Sequence, residues 1–419
     1  MRTLIVENFS CIKNAEIEID KLTIIIGPQA SGKSVLGKLA YFSLDIGLSQ
    51  YASILRNDSF EAFSNSIKEK FIEWFPISAW GNGKFKITFS AGKFTASFSR
   101  KSYKGVNSDD FRLKFSEDFK QSYKDSLKSR ERQIGSQQHD LSYEVEYDWR
   151  VRELVRSNLK KLTERDGIDY QIFIPAGRSF FTSIGKAIAA FEQGRVLDPL
   201  ILRFGRMFTA YKDHPRNIYG EKSADKENRL AIEELMNGIL GGRLQKQGEK
   251  EFVITEDGRK IPLSALSSGQ QELLPLVTVL PWFTKGEGGS LCYIEEPEAH
   301  LFPSTQSKLI QALVMLCHTT NLVITTHSPY VLTKLNNLLK AGSLGRKRND
   351  ELKRELEEHI PRRAWLSSRT MRAYAIREGN VVPILGRDGF IDADYLDEIS
   401  QDLSSEFSFL LDLEEKYAY

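Results

Sequence analysis

The stretch Gly27-Pro28-Gln29-Ala30-Ser31-Gly32-Lys33-Ser34 decides how this chain is read. It fits G-x-x-x-x-G-K-[ST], the phosphate-binding loop, and its flanks agree. Upstream, Leu22-Thr23-Ile24-Ile25-Ile26 is a short, β-branched apolar run that reads as a buried parallel strand. Downstream, Val35 to Phe42 has the spacing of a helix. Strand, glycine-bounded turn and helix start together build an anion cradle. Backbone N–H groups and the positive helix end face phosphates, Lys33 reaches the terminal ones, and the Ser34 hydroxyl is a ligand for Mg²⁺. This segment predicts binding of a nucleoside triphosphate.

Composition sets wide bounds around that site. The 419 residues suffice for two or three domains, and 41% hydrophobic with 11% aromatic residues supply a sizeable core. The 58 basic and 56 acidic side chains leave a net charge of +2, so any nucleic-acid surface has to be local. Cys11, Cys292 and Cys317 lack metal spacing, and the last two lie in apolar runs, as buried thiols of a reduced compartment do. Met1-Arg2-Thr3-Leu4-Ile5-Val6 leads straight into a strand rather than a cleavable signal. No apolar run approaches the roughly 20 residues that span a bilayer. A cytoplasmic protein without membrane contact is expected.

Residues 1–50 hold two strands (Thr3 to Glu7, Ala15 to Ile19) before the phosphate-loop unit. Residues 51–168 read as an insertion. Within it, Lys84 to Ser90 and Lys93 to Phe98 alternate around Ala91-Gly92 as a hairpin. Two charge-dense stretches, Ser108 to Gln138 and Ser142 to Arg165, then read as exposed helices. Residues 169–342 resume with a strand at Tyr170 to Ile174 and helical material to about Leu240. A hairpin follows (Arg243 to Gln247, Glu251 to Thr255), then the block that carries most of the remaining chemistry. Residues 343–419 read as an α+β extension with a helix at Asp350 to His359, a hairpin (Arg372 to Ile376, Val381 to Leu385) and an acidic helix from Asp394 to Glu414.

A phosphate loop needs a second strand end with acids for metal and water. Ser290-Leu291-Cys292-Tyr293-Ile294-Glu295-Glu296 is an apolar strand ending in two carboxylates, where the chain turns into Pro297. Glu295 is assigned to Mg²⁺, through water, and Glu296 to the general base. Asn321 to Thr326 is a further apolar strand, ending in His327-Ser328-Pro329. A histidine at the carboxyl end of a core strand lies near the ligand crevice, where His327 reaches the γ-phosphate or the attacking water. Leu266-Ser267-Ser268-Gly269-Gln270-Gln271-Glu272 precedes a helix from Leu273 to Phe283 and has the make-up of another anion-binding end.

These segments, in this order, resemble the ATP-binding-cassette (ABC) ATPases of the SMC and RecF type. The match runs from the phosphate loop through Leu-Ser-Ser-Gly-Gln to Ile-Glu-Glu-Pro-Glu-Ala-His-Leu-Phe-Pro and Thr-Thr-His-Ser-Pro. The wording is most similar to the AAA15/AAA21 branch, shared with overlapping-lysogenisation-defect nucleases and ATPase subunits of anti-phage systems such as Septu and PARIS. The resemblance covers residues 1–45 and about 170–340. It implies an α/β fold, an ABC-type P-loop ATPase head whose mixed sheet is flanked by helices. It also implies ATP and Mg²⁺, with Ser268, Gly269 and Gln270 closing over ATP bound to another subunit, so that the active unit is at least a dimer. Phe9-Ser10 stands where the family usually has an aromatic-arginine pair, and Gln29-Ala30 replaces the commoner Asn-Gly. Gln171 is too early in its strand to serve as the glutamine-loop residue, and Arg178 is a candidate phosphate or interface arginine.

The related nucleases carry a metal-binding domain after the ATPase. Here about 80 residues follow Leu339, and Asp392-Ala393-Asp394 reads as a solvated helix start. The basic clusters Lys124 to Arg132, Arg156 to Lys161, Arg346-Lys347-Arg348 and Arg362-Arg363 read as solvated faces, with a phosphate-contacting stripe on an oligomer as the alternative. The leading expectation is an ATPase sensor or scaffold of an anti-phage complex, without nuclease activity of its own, that holds a separate effector, a nuclease, and releases or activates it. The alternatives are an ATP-dependent DNA-binding protein of repair and an autonomous DNA-cutting enzyme.

Overall fold

Alternating side chains set the layers. In the computed structural model, Leu22, Ile24 and Ile26 enter one buried cluster while Ile25 enters a second on the other face of the sheet. Cys292 and Ile294 part from Leu291 and Tyr293 in the same way, as a two-residue period requires. The structure describes residues 1–81, 83–101, 110–134, 141–184, 197–213, 226–248, 250–280, 289–392 and 408–410. Ala393 and Asp394, and the expected acidic helix to Glu414 apart from 408–410, lie outside the described residues.

The strands are β1 (Arg2–Phe9), β2 (Ile12–Ile19), β3 (Leu22–Ile26), β4 (Phe85–Ala91), β5 (Phe94–Arg100), β6 (Phe111–Phe115) and β7 (Tyr170–Ile174). They continue with β8 (Arg243–Gln247), β9 (Lys250–Ile254), β10 (Lys260–Pro262), β11 (Ser290–Glu295), β12 (Thr320–Thr326), β13 (Met371–Arg377) and β14 (Asn380–Pro383). The first helices are α1 (Lys33–Leu55), α2 (Phe60–Trp74), α3 (Glu117–Ile134), α4 (Leu141–Thr163), α5 (Ser179–Ile184) and α6 (Pro199–Asp213). After them come α7 (Lys226–Leu240), α8 (Ser268–Val279), α9 (Pro303–Leu316), α10 (Pro329–Gly345) and α11 (Asp350–His359).

Among the described residues, eleven strands form one mixed sheet in the order β6-β5-β4-β1-β2-β14-β13-β3-β12-β11-β7, and β8 to β10 form a separate three-stranded one. The half from β13 through β3, β12 and β11 to β7 is parallel; the half from β6 to β2 is antiparallel. Side chains of α8, α9 and α10 cover one face, and those of α1 to α4 cover the other. Under the antiparallel half the second cluster is rich in aromatic rings, with Phe71 stacked on Phe98 at 4.7 Å and Phe9 edge-on to Phe85 at 5.0 Å. Such pairs add about 0.5–1.5 kcal/mol each beyond area burial. The first pair fastens β5 to α2, and the second ties β1 to β4. The fold is the expected α/β one, a large mixed sheet flanked by helices.

Two expectations need correcting. Ser108 to Gln138 is not one exposed helix: Phe111 to Phe115 forms β6, at the outer edge beside β5, before α3 begins. Phe111 and Phe115 are buried there, an alternation hidden by Arg112 and Lys114 between them. The segment read as an extension also supplies the middle of the sheet. β13 pairs in parallel with β3 from Met371 against Leu22 to Ala375 against Ile26. Periodicity identifies a strand but not its neighbours, so the position of this hairpin had no signal in the sequence.

Candidate active site

The chain leaves β3 at Ile26 and enters α1 through a turn that leaves little room for side chains. A Cβ on Gly32 (φ 104°) would sit 2.5 Å from Ile12 Cδ1 and 2.8 Å from Cys11 Sγ, so the β1–β2 turn rests on the loop. A Cβ on Gly27 would sit 2.8 Å from Ser31 Oγ and 3.2 Å from Ile376 Cβ of β13. Ala30 also has a left-handed backbone (φ 60°), which costs a non-glycine residue about 1–2 kcal/mol. The sequence departure at this position is therefore a strained one. Pro28, Gln29, Ala30 and Ser34 are exposed. Gly32 is the N-cap of α1 and offers no side-chain cap, which leaves the first-turn N–H groups to a ligand.

Lys33 is buried, and its Nζ donates to Gly27 O (2.9 Å) and Pro28 O (2.8 Å). It also lies 3.2 Å from His327 Nδ1. An ammonium only donates, so Nδ1 accepts and the imidazole carries its hydrogen on Nε2. That nitrogen lies 2.6 Å from Glu296 Oε1. One chain of contacts, Lys33–His327–Glu296, thus links the ends of β3, β12 and β11, adjacent strands of the parallel half. Burial holds the Lys33 ammonium below its ordinary value, and Glu296, Glu298 and Glu295 offset only part of that.

The two acids diverge because the backbone turns over between them. Glu295 ends β11, and Glu296 takes a left-handed φ of 43° while its N–H still donates to Thr325 O at 2.9 Å. Glu296 faces His327. The Glu295 side chain turns to the loop after β7, where Oε2 accepts from Ala176 N–H at 3.2 Å. Its Oε1 is buried without a protein partner among the described residues. A buried carboxylate oxygen without a donor suits a cation, so Glu295 with the exposed Ser34 hydroxyl fits the hard-oxygen ligand set of Mg²⁺.

Arg178 is not a phosphate or interface arginine. It is fully buried and donates to four carbonyls: Pro175 O (3.0 Å), Glu272 O (3.1 Å), Glu295 O (2.6 Å) and Glu296 O (3.0 Å). Its guanidinium also pairs with Glu272 Oε2 at 3.4 Å. The Glu272 carboxylate accepts from the backbone N–H groups of Arg178 (2.9 Å) and Ser179 (3.1 Å). This clamp joins the start of α8 to the backbone of both acids.

The Ser268-Gly269-Gln270 turn lies outside the Lys33–His327–Glu296 set. Ser267 caps α8, Gln270 Oε1 accepts from Ser267 N–H at 3.1 Å, and Gln270 Nε2 donates to Leu240 O at 2.9 Å. The helix begins at Ser268 rather than Leu273 because that capping box fixes its first turn. Gly269 sits in the same chain against the carbonyl of His300, 3.0 Å from where a Cβ would be.

Three residues escaped the sequence reading. Glu298 is buried, and its Oε1 accepts from Thr326 Oγ1 (2.5 Å) and His327 N–H (3.0 Å), which fixes the histidine's backbone. Gln306 Oε1 accepts from Ser328 Oγ at 2.6 Å, one residue on. Glu272 completes the clamp. A third carboxylate two residues after Glu296, and a lone acid opening the apolar run Leu273-Leu274-Pro275-Leu276, were the available signals.

The family profile described as "AAA domain, putative AbiEii toxin, Type IV TA system" matches residues 22–333. No curated protein matches the chain. Among solved structures it is similar to an SMC head bound to the C-winged helix domain of ScpA, at 12% identity and TM-score 0.43, covering 91% of this chain and 96% of that one. It is similar to the SMC head domain from Thermotoga maritima, at 11% and 0.37, covering 92% and 99%. The Smc head domain with an extended coiled coil bound to the C-terminal domain of ScpA, derived from Pyrococcus furiosus, gives 12% and 0.41, covering 96% and 100%. Values this low leave the fold to rest on the chain's own strand order and on the family match. The phosphate loop, the paired acids and His327 all fall inside the matched residues, and the chain belongs to this AAA-domain family.

Proposed function

We propose that the chain binds ATP with Mg²⁺ and hydrolyses it at the strand ends carrying Lys33, Glu296 and His327. The observation that carries this reading is the Lys33–His327–Glu296 chain of contacts, which sets a general-base candidate two side chains from the phosphate loop. The backbone of Gly27, Pro28, Gln29, Ala30, Ser31, Gly32 and Ser34 holds the phosphates. Lys33 exchanges two neutral carbonyls for charged phosphate oxygens. Ser34 and Glu295 hold Mg²⁺, which when bound neutralises charge on the β- and γ-phosphates. Glu296 takes a proton from water as the water oxygen bonds to the γ-phosphorus and the bond to the β-phosphate oxygen breaks. His327 orients Glu296 through its Nε2–H, and that hydrogen turns to the γ-phosphate once Glu296 takes up the water.

Ser268, Gly269 and Gln270 then act on ATP held by a second copy, so the working unit is at least a dimer. For Gln270 to contribute its side chain, its capping box has to open; Ser268 and the Gly269 backbone act without that change. In biological terms we assign the chain to an anti-phage complex, as the ATPase sensor or scaffold that holds a separate effector, a nuclease. The family description names a putative toxin of a type IV system, and the separate effector rests on the sequence resemblance alone.

The test pairs sedimentation of Glu296→Gln, with and without Mg-ATP, with copurification of the parent chain expressed beside its neighbouring genes. The expected results are an ATP-dependent dimer that Lys33→Ala abolishes, and a copurifying nuclease-like protein. A Glu296→Gln chain that stays monomeric at high concentration overturns the composite site. Recovery of the chain alone overturns the scaffold, and tight ATP-stimulated duplex binding with a steep salt slope replaces it with the DNA-binding reading.

A further inference from the structure

The basic clusters Arg346-Lys347-Arg348 and Arg362-Arg363 are fourteen or so residues apart in sequence, yet the fold lines one cavity of about 870 Å³ with both. Arg346, Arg362 and Arg363 share its wall with His318 and Trp365, and no aspartate or glutamate lines it. The volume lies within the range that holds small ligands, about 300–1,000 Å³. Arg346 and Arg362 are exposed and make no ion pair among the described residues.

The cavity is built rather than incidental. α10 ends in its wall, and two of its glycines let the following segment lie directly on it. A Cβ on Gly342 would sit 1.9 Å from Leu366 O, and one on Gly345 2.2 Å from Trp365 Cε3. Leu366 N–H donates to Leu338 O at 3.0 Å, and His318 Nε2 lies 2.8 Å from Arg363 O, so both sides of the segment are tied down. The Trp365 indole N–H is already satisfied by Ile360 O at 2.9 Å, which leaves the ring as an apolar surface. The exposed Arg362 guanidinium lies over that ring, 6.0 Å from its centre, and swings aside toward the phosphate when a base takes that face.

An anion alone would need only the guanidinium groups. An aromatic face beside them in one cavity suits a planar base joined to phosphate. We propose that this cavity binds a nucleoside phosphate, with its base against Trp365 and its phosphate between Arg346 and Arg362. The unit is supplied either by a free mononucleotide or by a single strand. The site is separate from the strand-end centre: α10 starts just after His327-Ser328 and runs 17 residues, about 25 Å, before reaching it. The inference stands whether or not that centre hydrolyses ATP.

The test is fluorescence anisotropy of a labelled short oligothymidylate with the full chain at low salt, followed by competition with thymidine monophosphate. Arg346→Ala/Arg362→Ala is expected to weaken binding about tenfold or more. The log–log salt slope should become shallower by about 0.7, since the two arginines share one phosphate contact. Trp365→Leu is expected to weaken binding roughly tenfold, from lost stacking. Competition by the monophosphate at similar affinity identifies a free nucleotide as the source; binding of the oligonucleotide alone identifies a single strand. Three results overturn the proposal: no binding of either probe, affinities of parent and double-arginine variant within about twofold, or displacement by polyglutamate as effective as by oligonucleotide. Should Trp365→Leu fail to fold, the two exposed arginines still decide the outcome.

Discussion

At the scale of single residues, Arg178 shows how a buried charge positions chemistry that it does not touch. Its guanidinium spans the carbonyls of Glu295 and Glu296, so the backbone turn that points one acid at His327 and the other at Ala176 depends on it. Lysine keeps the charge but cannot present a planar fork to four carbonyls. Arg178→Lys is expected to cost roughly 2–4 kcal/mol, because part of the buried pair with Glu272 and its hydrogen bonds is lost. Urea unfolding checks this: the midpoint should fall at unchanged slope, and an unchanged midpoint would show the fork to be dispensable. Arg178 was visible in the sequence only as a basic residue after a strand, whereas Lys33, Glu296 and His327 were legible as strand-end residues in a recognisable order. What separates them is that Arg178's partners are main-chain carbonyls, which no residue pattern reveals. Glu298 was hidden for a similar reason, since it serves a backbone N–H.

Among elements, α1 follows the loop and is held by charge as well as by its apolar face. Asp45, buried in α1, accepts from Lys70 of α2 at 2.6 Å and from Arg203 of α6 at 2.8 Å. Burial opposes its ionisation, but Lys70 and Arg203 outweigh that, so the carboxyl titrates below its ordinary value. A group with a depressed folded-state pKa stabilises the fold above its unfolded pKa and loses that contribution as pH falls through the folded value. Asp45→Asn is therefore expected to cost about 1.5–3 kcal/mol at neutral pH. The gap to the parent should narrow below about pH 4. Denaturant titrations at both pH values check the sign; a gap that widens in acid would contradict it. The hairpins β4–β5 and β8–β9 were legible around their glycine turns, β13–β14 as a further hairpin, and α11 from its charges. β6 was not, because two basic residues between two buried phenylalanines look like a charged surface.

The whole molecule is a sheet that brings three strand ends to one site. Apart from β6 and β10, strand identity was legible; strand order was not, because pairing partners far apart in sequence leave no local trace. The largest consequence is β13, which backs both β3 and Gly27 although it lies beyond the residues of the family match. A chain ending at Gly345 loses β13 and β14 from the middle of the sheet, not from its edge. It is expected to lack cooperative unfolding by circular dichroism, and a parent-like transition would show the hairpin to be an ornament. The claim on which the rest depends is that Glu296 activates water at these strand ends. Single-turnover hydrolysis of Mg-ATP by Glu296→Gln, with nucleotide occupancy matched to the parent, tests it most directly. A fall of about 10²–10⁴-fold is the predicted result. A rate within about twofold of the parent would contradict it.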